Sequence, residues 1–153
     1  MLLVVFPGQI AAAQNESESP PWAPPDPTGV LIESGLSLEV QEKLRTKWGI
    51  EVVGLRLTAS GHMLDFRYRL LDAEKGKDLF GSGVKPVLTD LATGVKLEVP
   101  RPPKIGPLKQ TRNAPIEGRT YFVLFGNPGR MIKTGSVLSL EIGKLEIEQL
   151  VAQ

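Results

Sequence analysis

The 153-residue sequence contains no cysteine and a single histidine, His62. Without thiols there is no disulfide, no thiolate zinc site, no cysteine nucleophile and no lipid-modified N-terminal cysteine. With one imidazole and no thiolate there is no type-1 copper site, which takes two histidines and a cysteine. His62, Met63 and Met131 are the residues a simpler metal site would have to use, and no metal or other cofactor is expected. Beyond the N-terminal residues no segment approaches the roughly 20 apolar residues of a membrane-spanning helix. An excess of one charge is missing too: 18 Lys and Arg against 17 Asp and Glu leave a formal net charge of +1. That balance speaks against nucleic acid as a partner, because a nucleic-acid-binding domain is usually strongly basic.

Catalytic patterns are equally sparse. His62 stands two residues from Ser60 without a nucleophile elbow around either. Gly81-Ser82-Gly83 lacks the lysine and following helix of a phosphate loop. Asp72, Glu74, Asp78 and Asp90 lack the spacing of a calcium loop and read as solvated charges. No enzymatic activity is expected.

What is present starts with an apolar run at residues 1–13 that ends in Ala11-Ala12-Ala13 and fits an Ala-x-Ala signal-peptidase site, without the usual positively charged start. Residues 14–35 follow as an acidic stalk, with five prolines and three acids between 14 and 27. Such a composition stays solvated and partly polyproline-II. The two segments together predict a periplasmic or secreted protein. Residues 36–153 remain for one folded domain, roughly 120 residues, enough to bury a core without staples.

The domain opens with an amphipathic helix over 38–48, in which Val40, Leu44 and Trp48 share a face, Ser37 caps the start and Gly49 ends it. From Ile50 the apolar period falls to two, the period of strands. Strands are expected over 50–58 with a bulge at Gly54, 63–71, 86–91, 95–99, 120–125, 137–142 and 145–151. Turns at Ala59-Ser60-Gly61, Ala92-Thr93-Gly94 and Gly143-Lys144 separate hairpin partners. The sequence therefore predicts a mainly β domain, an antiparallel immunoglobulin-like or cupredoxin-like sandwich of about seven strands with one N-terminal helix.

Local charge gives the candidate site. Between Arg101 and Lys133 seven basic residues stand against Glu117 alone, whereas residues 16–42 hold six acids and no base. The loop over 101–118 is longer than a compact domain usually tolerates without purpose. Arg101, Lys104, Lys109 and Arg112 in that loop, with Asn127 and Arg130 of the tight Gly126-Asn127-Pro128-Gly129-Arg130 loop, are the candidate partner-binding residues. They are expected to meet another periplasmic or envelope protein or an anionic ligand, or else the chain's own acidic arm.

The stretches at 48–57 (Trp-Gly-Ile-Glu-Val-Val-Gly-Leu-Arg-Leu), 64–69 (Leu-Asp-Phe-Arg-Tyr-Arg) and 120–129 (Thr-Tyr-Phe-Val-Leu-Phe-Gly-Asn-Pro-Gly) resemble a group of uncharacterised exported proteins of Gram-negative bacteria. The resemblance runs from Trp48 to the C-terminus and implies a periplasmic β-sandwich, with no activity or ligand attached to it. The leading expectation is a non-catalytic periplasmic binding or assembly module. A copper or small-ligand carrier and an accessory domain of an exported enzyme complex are the alternatives.

Overall fold

A computed structural model describes residues 34–110 and 114–153. The signal and stalk readings up to residue 33, and the candidate Arg112, lie outside the described residues. The described part is mainly β, with seven strands in two antiparallel sheets and two short helices, as the change of apolar period predicts.

Helix α1 spans Leu38–Trp48. Ser37 Oγ accepts the Val40 amide at its start, and Gly49 in left-handed conformation returns its N–H to the last-turn carbonyls. The chain then runs through β1 (Ile50–Thr58), a 3-10 turn (Ala59–Gly61) and β2 (Met63–Leu70). Helix α2 (Ala73–Gly76), capped by the Asp72 carboxylate, carries it to the second sheet. There it forms β3 (Val87–Asp90) and β4 (Lys96–Glu98), returns to the first sheet as β5 (Thr120–Gly126), and finishes in the second as β6 (Val137–Ile142) and β7 (Leu145–Val151). The sheet orders are β1-β2-β5 and β4-β3-β6-β7. The predicted bulge appears as a register shift between Val52 and Gly54 against β2.

Alternation decides which face is dry. On β2, Leu64, Phe66, Tyr68 and Leu70 are buried while Arg67 and Arg69 are exposed. The opposing sheet contributes Leu88, Leu138, Leu140 and Leu150, all fully buried. Each such side chain contributes about 1.5–3 kcal/mol of transfer free energy. Tyr68, Phe80 and Tyr121 pack as neighbouring rings, with Phe80 edge-on to Tyr121 at 4.6 Å between centroids.

Both edges of the first sheet are covered, each by a different device. Along β1, the carboxamide of Gln41 on α1 donates to the Val52 carbonyl (3.0 Å) and accepts the Val52 amide (3.2 Å), standing in for a neighbouring strand. Farther along, the C-terminal residues take over: Leu57 N–H donates to the Gln153 carbonyl and Gln153 N–H to the Leu55 carbonyl. Along β5, residues 108–110 of the long basic loop lie antiparallel to the strand. The Leu124 amide donates to the Leu108 carbonyl and the Gln110 amide to the Phe122 carbonyl. Covering an edge satisfies its backbone groups and removes a template for aggregation.

One reading of the charged residues is corrected. Asp90 is not a solvated loop charge: it is buried, and its carboxylate accepts the Thr93 hydroxyl at 2.6 Å to brace the β3–β4 turn. No helix among the described residues is long and apolar enough to cross a membrane.

Candidate functional site

Two of the candidate contact residues are turned into the protein. Lys109 sits on the segment that pairs with β5 and is 8% exposed. Its ammonium donates to the carbonyls of Gly81 (3.1 Å) and Val84, tying the loop after Phe80 to the edge of the first sheet. Burial pushes its pKa below the ordinary lysine value, and repulsion from Arg101 adds to the shift. Asn127 is 1% exposed. Its side chain donates to the carbonyls of Gly61 and Ile132, both at 2.9 Å, and accepts the Ile132 amide at 3.0 Å. With the Asn127 amide bonded to the His62 carbonyl, this one residue locks the loop after β5 onto the β1–β2 turn. Each of these side chains holds a loop in place.

What those loops present is the candidate site. The β1–β2 turn and the loop after β5 enclose an open groove of about 480 Å³, lined by Leu57, Ser60, Gly61, Gly129, Arg130, Ile132, Lys133 and Thr134. Its chemistry is that of two cations, Arg130 and Lys133, over a floor containing the buried Ile132. The backbone around it is strained. Among the described residues four non-glycines have positive φ, and three of them belong to these two loops: Ala59 (51°), Ser60 (55°) and Arg130 (51°). Such conformations cost on the order of 1–3 kcal/mol each and persist only where the surroundings impose them. Here the surroundings are the Asn127 bracket and the close approach of the two loops. A Cβ on Gly61 would lie 3.2 Å from Cδ of Arg130, so glycine at that position makes room for the arginine stem to cross the turn.

The remaining candidates distribute as follows. Arg101 is exposed and lines a second, smaller pocket with Lys109, Lys85, Glu98, Val84, Pro86, Val87, Val99 and Pro107. Lys104 is exposed in the turn closed by the Ile105 and Gly106 amides on the Pro102 carbonyl, beside Ile105, itself 74% exposed. The two pockets have no lining residue in common, so the basic window divides into two regions. His62 is exposed, Met63 half-buried at the start of β2 and Met131 exposed; among the described residues no cluster of three or more His, Asp or Glu forms a metal site.

Sequence reasoning missed Ser60, Gly61 and Thr134 in the groove, and Lys85 and Glu98 in the smaller pocket. Lys133 was legible through the charge window; the others carry no signal that separates them from ordinary turn and strand residues. Compared with protein-family models, curated proteins and solved structures, the chain matches none.

Proposed function

We propose that the protein is a non-catalytic binding module, and that the groove between the β1–β2 turn and the loop after β5 receives an acidic segment of a partner protein. The observation that supports this most strongly is the concentration of left-handed non-glycine residues at the groove, Ala59, Ser60 and Arg130, around two exposed cations. Left-handed strain held in a surface loop supports a shape kept for a contact. Arginine at that position adds planar, bidentate recognition of carboxylates. The export reading of residues 1–35 places this activity in the periplasm or outside the cell, where the partner would be another envelope or secreted protein.

Binding of fluorescently labelled poly-L-glutamate, followed by anisotropy at low salt, tests the proposal. The doubly substituted Arg130→Glu/Lys133→Glu protein should bind at least ~10-fold more weakly, equivalent to about 1.4 kcal/mol. A Lys96→Glu/Lys144→Glu protein carries the same charge change at exposed positions elsewhere. It should lose less than ~2-fold, the residue of long-range screening alone. Equal losses in the two proteins would refute the groove as the contact surface.

A further inference from the structure

The smaller pocket has a chemistry of its own. Its lining brings three cations, Lys85, Arg101 and Lys109, against one carboxylate, Glu98. An ammonium has three N–H donors, and Lys109 directs two of them to the Gly81 and Val84 carbonyls. One donor is left. Among the described residues no carboxylate is ion-paired with either Lys109 or Arg101. A cation buried to this degree is stabilised by any counter-charge that reaches it, because attraction strengthens as water is removed. The lowered pKa of Lys109 under burial and Arg101 repulsion agrees with a site short of negative charge.

The rest of the lining is hydrocarbon, chiefly Val84, Val87 and Val99 with two prolines. The volume is about 80 Å³, several times the roughly 10–15 Å³ that admits a single water. A phosphate or sulfate would set charged oxygens against the valine wall with no hydrogen bonds there, which is unfavourable. A long acyl chain would leave most of its length outside the valine wall, in water. We infer that this pocket binds a short aliphatic carboxylate, its oxygens on Arg101 and the remaining Lys109 N–H, and its hydrocarbon end against Val84, Val87 and Val99. This site is separate from the groove and does not depend on it.

Titration of ¹⁵N-labelled protein with butyrate, followed by amide NMR, reads the pocket directly. Saturable shifts are expected at Val84, Val87, Val99 and Lys109. Arg101 and Glu98 are exposed, so their substitution leaves the core untouched. Arg101→Gln should weaken butyrate at least ~10-fold, since a charge-assisted bond is lost, and Glu98→Gln should tighten it by about 2-fold as the one opposing charge goes. The Arg130→Glu/Lys133→Glu protein should bind butyrate as the parent does. 1-Butanol and sulfate, each lacking half of the recognition, should both bind at least ~10-fold more weakly. The inference is overturned by absence of saturable shifts at these amides, by an Arg101→Gln protein that binds as well as the parent, or by sulfate binding as tightly as butyrate.

Discussion

The basic loop before β5 and the basic loop after it share a sign of charge and differ in nearly everything else. Before the strand, Lys109 is drawn into the protein by an edge pairing and by two carbonyls, and the space beside it is small and walled by valines. After the strand, the cations stay in water, and the buried residue is instead a neutral amide, Asn127, that fixes the backbone presenting them. A run of positive charge in a sequence therefore specifies no single surface. Where the backbone takes an edge role, an interleaved lysine is buried with it; where the loop is a bracketed turn, the arginine is held outward.

Removing each holding residue should break one region and spare the other. Asn127→Ala leaves the Ile132 amide and the Gly61 and Ile132 carbonyls without their partner. An orphaned buried polar group costs about 1–3 kcal/mol. With water reaching part of the loop, a loss of about 3 kcal/mol in urea-unfolding stability is expected, together with weakened poly-L-glutamate binding and unchanged butyrate binding. Unchanged stability would mean that the bracket does not hold the groove.

Lys109→Met should give a smaller effect on stability and a larger one on ligand. The charge-assisted bonds to Gly81 and Val84 are lost, worth about 1.5–3 kcal/mol each at most, but the penalty for burying an ammonium disappears with them. The two terms oppose, and stability should stay within about 1 kcal/mol by the same urea measurement while butyrate shifts vanish and poly-L-glutamate binding persists. A loss of both ligands would show that the two regions are one coupled unit.

The sequence carried the architecture well because the architecture depends on periodicity and turns. Alternation from Ile50, the Gly54 bulge, the Ser37 and Gly49 caps and the hairpin glycines are local signals, and each reappears in the fold. The site was less legible because its decisive residues act across long separations. Nothing near Lys109 in sequence announces the carbonyls of Gly81 and Val84, and nothing near Asn127 announces Gly61. Gln41 is a similar case: it lies on the helix face of Leu44 and Trp48, at i+3 and i+7 spacing, and is 1% exposed, but nothing near it in sequence announces the Val52 backbone groups it pairs with to complete the open edge of β1. The basic loop looked long enough to need a binding purpose; part of its length is spent instead on covering the edge of β5.

We propose two independent sites in the basic window, a small carboxylate pocket at Arg101 and Lys109 and an open groove at Arg130 and Lys133. The most direct test is to add poly-L-glutamate to ¹⁵N-labelled protein already saturated with butyrate. The butyrate shifts at Val84, Val87 and Val99 should stay in place while new shifts appear at Ser60, Gly61, Arg130 and Lys133. Displacement of butyrate by poly-L-glutamate, with the valine amides returning to their free positions, would contradict it.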